Sequence, residues 1–203
     1  MLDVRSHQLV SNQIEYSELI VIIRELHNVL AAGTIGDIVE LGCYVGTTSL
    51  FIQRQLQQLT KPPTFHVYDS FLGLPAKTTI DNSPAGEQFQ QGELVASKNQ
   101  LIKHFRQAGL RQPIIHKAWF EELTVADMPT KIAFAFLDSD FYSSIASSLA
   151  VITPQLVPGA TVIVDDYQSE ALPGARRATD AWAKQHGQSV RSEKSLGIIR
   201  YSP

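Results

Sequence analysis

The sequence predicts an α/β protein: a doubly wound, mostly parallel, seven-stranded sheet with an antiparallel last strand. Two patterns carry this. Short apolar runs of strand length alternate with stretches whose apolar residues recur every three to four positions, which argues for a sheet covered on both faces. The chemically suggestive residues fall at the C-terminal ends of the expected strands, where such sheets bind ligands. Length is compatible: 203 residues, 44% of them hydrophobic, suffice for one domain spanning 1–203. The single cysteine, Cys43, offers no disulfide partner and no zinc pair.

In chain order, residues 1–33 form an N-terminal helical segment. Leu19, Ile22, Ile23, Leu26, Val29 and Leu30 mark a helix from Glu15 to Ala32 that stops at Gly33. Asp37 to Leu41 reads as a buried strand, followed by a turn and a helix to about Gln58. Thr64 to Tyr68 is a second strand ending at Asp69. Residues 76–93, rich in Gly, Pro, Gln, Asn and Thr, read as a long loop, and loops of that length within a compact domain are usually functional or disordered. A helix is expected over Leu94 to Ala108, strands over Pro113 to His116 and Lys131 to Leu137, and a helix over Tyr142 to Leu156. A turn at Pro158-Gly159 precedes a fifth strand, Ala160 to Val164. Ala175 to Gln185 is helical, and Ser189 to Ser192 pairs with Leu196 to Tyr201 as two final strands.

Seventeen basic against twenty acidic residues, a net charge of −3, argue against a basic nucleic-acid module. The apolar runs fall short of the roughly 20 residues a membrane span needs, and Met1 to Gln13 carries no signal pattern. The expectation is a cytoplasmic protein with neither nucleic acid nor membrane as partner.

The first strand runs into Glu40-Leu-Gly42-Cys-Tyr44-Val-Gly46-Thr-Thr48. Glycines in a strand-to-helix turn permit a tight bend and close ligand approach. A dinucleotide fingerprint would need glycines where Tyr44 and Thr47 stand, so a pyrophosphate-hugging loop is disfavoured. Asp69, ending the second strand, is placed to accept hydrogen bonds from ribose hydroxyls. The plainer reading is a glycine turn without ligand and an aspartate serving as a cap.

Asp138 ends the fourth strand and Asp165-Asp166 the fifth. If those strands are neighbours, three carboxylates converge, and their repulsion is relieved by a cation or by raised pKa values. Oxygen ligands alone suit magnesium. The competing reading makes them helix caps and solvated loop residues. A bound divalent cation would lower the pKa of an acceptor hydroxyl and fix its oxygen. Alternation along an extended segment would put Asp140 on the same face as Asp138, available to take the proton.

The Glu40–Thr48 turn is similar to the cofactor motif of catechol O-methyltransferase and its relatives. A longer resemblance, over about Ile38 to Trp182, is to the macrocin O-methyltransferase family. It is carried by Tyr68-Asp-Ser-Phe-Leu-Gly-Leu-Pro75, Lys117-Ala-Trp-Phe-Glu-Glu122, Leu137-Asp-Ser-Asp-Phe-Tyr142 and Val157-Pro-Gly-Ala-Thr-Val-Ile-Val-Asp-Asp-Tyr167. The resemblance implies a Rossmann-like class I methyltransferase fold and activity on a hydroxyl of a small molecule, a sugar or a natural-product phenol or alcohol. It implies S-adenosylmethionine held by Glu40, Gly42, Tyr44, Gly46, Thr48, Asp69, Ser70, Ala118, Trp119, Phe120 and Asp138. It also implies Mg2+ on Asp138, Asp165 and Asp166, with Asp138 and Asp140 as the catalytic pair and Asp140 as base. Catechol-type enzymes carry a lysine where this chain has Phe141, which favours the route through Asp140. The N-terminus is short against that family, so acceptor selection is expected to fall to residues 76–93, to the first helix, or to a second subunit in a homodimer.

A nicotinamide-dependent oxidoreductase and a non-catalytic S-adenosylmethionine-binding protein are the alternatives. The first leaves the three aspartates unexplained. His66 and His116 read as structural, His104 as a solvated residue, Arg176-Arg177 as a surface pair and Cys43 as packing, while Trp119 and Phe120 are either core aromatics or an adenine wall. The first helix either packs on the sheet or forms a dimer seam.

Overall fold

A computed structural model describes residues 2–203. Seven strands, β1 (Asp37–Leu41), β2 (Phe65–Asp69), β3 (Ile114–Lys117), β4 (Ile132–Leu137), β5 (Leu156–Val164), β6 (Arg191–Glu193) and β7 (Leu196–Arg200), form one sheet in the order β3-β2-β1-β4-β5-β7-β6. β1 to β5 pair in parallel, and β7 runs antiparallel to both neighbours. The expected seven-stranded sheet with a reversed last strand is therefore present. The strand order reverses direction between β1 and β4, which places a crevice at the C-terminal ends of those two strands.

Alternating side chains divide the core in two. Ile38, Phe134, Phe136 and Ile163 face helices α1 (Tyr16–Ala31), α2 (Thr47–Leu56) and α3 (Lys98–Gln107). Val39, Leu41, Ala135, Leu137, Val162 and Val164 face α4 (Tyr142–Ile152) and α5 (Pro173–Gln185). α1 buries Leu19, Val21, Ile22, Ile23, Leu26 and Val29, so it packs on the sheet and α2 rather than presenting a free seam. No helix among the described residues is long and apolar enough to cross a membrane.

Three elements differ from expectation. α3 begins at Lys98, not Leu94: Leu94 has φ 56°, and the Ser97 hydroxyl caps the helix by accepting from the Gln100 N–H at 3.1 Å. α4 ends at Ile152, and Thr153–Gln155 tightens into a 3-10 turn. Pro158-Gly159 is no turn between elements, because β5 runs through it from Leu156. The pairing slips there, from Ile132↔Leu156 to Phe134↔Thr161, so proline and glycine occupy a bulge on the exposed stretch. Residues 76–93 form an irregular segment with two 3-10 turns, Thr79–Asp81 and Pro84–Gly86.

What positions the open end is ladder pairing that continues one residue past each strand. Gly42 N–H donates to the Tyr68 carbonyl at 2.9 Å, Asp138 N–H to Leu41 at 2.9 Å, Asp165 N–H to Leu137 at 2.8 Å, and Ala118 N–H to Asp69 at 3.1 Å. The chain ends approach so closely that a Cβ on Gly42 (φ 89°) would lie 1.7 Å from the Asp138 carbonyl oxygen. Gly42→Ala is therefore expected to destabilise by roughly 3 kcal/mol or more, through overpacking and a left-handed backbone. Gly33→Ala, at φ 72° with no atom within 4 Å, should cost only about 1–2 kcal/mol. Urea unfolding of the two variants checks the contrast, and equal losses would mean that the backbone yields at Gly42.

Candidate active site

A cleft with about 830 Å³ of empty space, its open mouth included, lies at these strand ends. One wall is the turn between β1 and α2. Tyr44 is held at φ 48° and Gly46 caps α2 at φ 92°. Asp69 fixes the turn: its Oδ2 accepts from Cys43 N–H at 2.9 Å and Tyr44 N–H at 3.1 Å, while Oδ1 accepts from Phe71 N–H at 2.7 Å. So Asp69 does cap backbone, and it also faces the cleft, where Oδ1, accepting a single bond, has lone-pair capacity to spare. Ser70 lines the cleft, its hydroxyl accepting from Leu72 N–H at 3.1 Å. Half-buried Trp119 and Phe120 line the far side.

The floor is acidic. Carboxylate oxygens of Asp138, Asp140 and Asp166 lie within 4.8 Å of one another. Asp165 lines the cleft beside them, with its Oδ1 accepting from Asp166 N–H at 2.9 Å and Ser195 Oγ at 3.3 Å. The gathered trio thus differs from the expected one in having Asp140 where Asp165 was anticipated. Asp138 and Asp140 do share the cleft, but not by strand alternation. β4 has ended at Leu137, and Asp140 adopts φ 59° in a tight turn closed by Phe141 N–H to the Ser139 carbonyl at 2.7 Å. Buried Ser139 anchors that turn through the Leu41 carbonyl and Ser148 Oγ, each at 3.3 Å.

Burial is the main cause lifting the Asp138, Asp140 and Asp165 carboxyls well above the usual range. Repulsion follows, chiefly from Asp165 on Asp138 and from Asp166 on the other two. Asp166 is pushed up to about 6, by burial first and Glu18 second. Beneath the turn, buried Glu40 is raised to about 8 by burial, although Ser49 Oγ donates to its Oε2 at 2.5 Å; its Oε1 has no partner.

Several expected cofactor residues do not line the cleft: Glu40, Gly46, Thr48 and Ala118 stand behind its surface. Gly42 is required by the Asp138 backbone against it, whereas at Gly46, where a Cβ would meet only the movable Leu101 Cδ1 at 2.2 Å, it is the left-handed φ of 92° that calls for glycine. Lining residues outside the expected site set are Gln13, Cys43, Gly73, Leu74, Pro75, Phe89, Leu94, Ser139 and Ser144. Gly73, Leu74, Pro75 and Ser139 lie in the segments that carry the family resemblance, and Phe89 is the aromatic within residues 76–93.

That segment is tied down. Asp81, 1% exposed, accepts from the Tyr142 N–H at the start of α4 at 2.7 Å and from Thr78 Oγ1 at 2.7 Å. A Cβ on Gly174 in α5 would lie 1.9 Å from Asp81 Oδ1. Ser83 Oγ donates to the Glu170 carbonyl at 2.6 Å, and Arg177 Nη1 to the Ile80 carbonyl at 2.5 Å, so Arg177 is no idle surface residue. His104 is likewise not solvated freely: its Nδ1 pairs with the Val45 carbonyl at 2.8 Å. His66 and His116 pair at 3.2 Å away from the cleft, His116 stacked on Tyr68.

The fold and the cleft together define an α/β protein built as the class I methyltransferases are. The solved O-methyltransferase NovP superposes with a TM-score of 0.81, covering 94% of this chain and 81% of that one at 22% identity. The apo structure of CalS11, described as a TDP-rhamnose 3'-O-methyltransferase of calicheamicin biosynthesis, gives 0.67, with 92% and 80% covered at 20% identity. The profile of the macrocin O-methyltransferase (TylF) family matches residues 18–192, and the chain belongs to that family. A relative from Streptomyces olivaceus, 8-demethyl-8-(2,3-dimethoxy-alpha-L-rhamnosyl)-tetracenomycin-C 4'-O-methyltransferase, is 30% identical over 172 residues. The alignment covers 81% of this chain but 64% of that relative's length. The matched family is one of O-methyltransferases, not of nicotinamide-dependent oxidoreductases.

The Asp166 pKa has a measurable consequence. Below about pH 4 the group holds its proton both folded and unfolded, and no penalty exists; stability is lost as pH rises from about 4 to about 6, and the loss is constant above that. Asp166→Asn removes that penalty and keeps a residue type tolerant of φ 56°. In metal-free buffer the variant should exceed the parent by on the order of 1–3 kcal/mol near pH 8 and match it near pH 4. Chemical denaturation at both pH values reads this, and a pH-independent difference would contradict the raised pKa.

Proposed function

We propose that this chain transfers the methyl group of S-adenosylmethionine to a hydroxyl of a small molecule, a sugar or a natural-product phenol or alcohol, with magnesium assistance. The observation that carries this is the adjacency, in one cleft, of the Asp69-pinned turn and the Asp138, Asp140 and Asp166 carboxylates. The residues fit both groups. Asp69 offers its carboxylate to ribose hydroxyls, Trp119 and Phe120 supply an aromatic wall for adenine, and the Gly42–Tyr44 turn faces the cleft. Three oxygen donors within 4.8 Å, without His or Cys, suit a hard cation, and their carboxyls are raised first by burial and then by a mutual repulsion that a cation relieves.

The family resemblance makes Asp138, Asp165 and Asp166 the metal-holding residues; Asp138 and Asp166 belong to the trio within 4.8 Å, and Asp165 lines the cleft beside it. Magnesium, when bound, supplies Lewis-acid polarisation of the acceptor oxygen. Asp140 takes the hydroxyl proton; burial and then Asp166 raise its carboxyl above the usual range, which strengthens it as a proton acceptor once ionised. Its φ 59° turn, fixed by Ser139, aims the carboxylate into the cleft. Leu74, Phe89 and Leu94 give the acceptor an apolar wall that limits water.

Asp140→Asn should lower turnover by about 100-fold or more while leaving magnesium affinity within a few-fold. Methyl transfer from labelled donor reads the first and calorimetric titration with magnesium the second. Loss of magnesium binding would make Asp140 a ligand instead of the base. Chelation should abolish turnover and added magnesium restore it, so full activity in chelator would refute metal assistance.

A further inference from the structure

We propose that Asp81 is a positioning residue for the acidic floor: through it, residues 76–93 clasp the two aspartate-bearing loops together and set the spacing of the carboxylates that would hold magnesium. This rests on the metal-assisted methyl-transfer reading and adds to it a residue that does not line the cleft.

The floor is made by two loops. Residues 138–141 lead from β4 into α4, and residues 165–172 lead from β5 into α5. The sheet joins them where the Asp165 N–H donates to the Leu137 carbonyl at 2.8 Å. Past that bond the loops carry Asp138, Asp140 and Asp166, whose like charges push them apart.

Residues 76–93 bridge the loops from outside. Asp81 Oδ1 accepts from the Tyr142 N–H, two residues beyond Asp140, at 2.7 Å. The same oxygen lies against Gly174 in the first turn of α5, an approach that any Cβ there would block. Ser83 Oγ donates to the Glu170 carbonyl at 2.6 Å, Arg177 Nη1 donates to the Ile80 carbonyl at 2.5 Å, and Gly86 is backed against the Ala171 carbonyl. Buried Phe141, Leu74 and Leu172 form one small cluster, so all three segments also meet through apolar contact.

Asp81 is central to this clasp for a physical reason. Its side chain is buried, with Thr78 Oγ1 donating to Oδ2 at 2.7 Å, while Phe141 at the N-cap of α4 supplies no side-chain cap. A carboxylate at a helix start is favoured by the unpaired N–H groups and by the helix dipole. Removing it frees the first loop from the segment that also holds the second. The repulsion then acts unopposed, and a carboxylate displaced by about 1 Å no longer suits the strict octahedral shell of magnesium.

The test titrates magnesium calorimetrically into the full chain saturated with S-adenosylhomocysteine. Asp81→Ala should weaken magnesium binding by about tenfold or more, with affinity for S-adenosylhomocysteine held within about twofold. Asp81→Asn keeps an oxygen for the Tyr142 N–H and an amide for Thr78, and should restore most of the magnesium affinity. Thr78→Val removes the donor to Asp81 and should weaken magnesium binding in the same direction, which carries the test if Asp81→Ala does not fold. Unchanged magnesium affinity in the folded variants would overturn the proposal. So would a parallel loss of S-adenosylhomocysteine binding, the mark of general disruption, or equal losses in Asp81→Asn and Asp81→Ala, the mark of a long-range charge effect. Failure of the unaltered chain to bind S-adenosylhomocysteine or magnesium would instead overturn the reading on which the proposal rests, and the proposal with it.

Discussion

Where β1 and β4 end, the Asp138 carbonyl fills the space that a side chain on residue 42 would need. That contact sets the geometry of the whole open end. It brings Asp138 beside the β1 turn, and the pairing of Asp165 with Leu137 extends the same register to β5. Once these chain ends are in line, the aspartates that follow them have nowhere to go but one small volume. The closeness of the backbones and the crowding of the charges are one fact seen at two scales.

Crowded carboxylates oppose folding in the absence of a counter-charge, and the fold accommodates them by local backbone means. Asp140 and Asp166 both take left-handed conformations, at φ 59° and 56°, which non-glycine residues adopt at some cost and which gather at functional sites. Ser139, Ser195 and the Asp166 N–H each hold a neighbouring group in place. The site is thus stabilised from behind by hydrogen bonds while its front stays acidic and open.

The long segment after β2 is part of the same construction. Its Asp81 carboxylate supplies the cap that Phe141 does not give α4, and α4 begins directly after the Asp138–Asp140 turn. The wall contributed by Leu74, Phe89 and Leu94 is therefore tied mechanically to the turn that presents Asp140. Shifting one would strain the other.

Much of this was legible in order along the chain. Strand alternation, as at Ile38 against Val39 and Leu41, is a local property with a period of two, so the sheet and its two faces could be read directly. The aspartates at strand ends were visible as well, because a strand's last residue is marked by where its apolar run stops. What sequence spacing could not supply were distances between segments far apart in the chain. The tertiary structure alone decided that Gly42 is a glycine because the Asp138 backbone crowds it. It alone decided that Asp140, rather than Asp165, completes the close trio, through a turn that no periodicity reveals. And only packing could show Asp81 capping the start of α4 while lying against Gly174 in α5, since Tyr142 and Gly174 lie 61 and 93 residues away in sequence. Periodicity records which way a side chain faces, whereas long-range packing decides what it meets there.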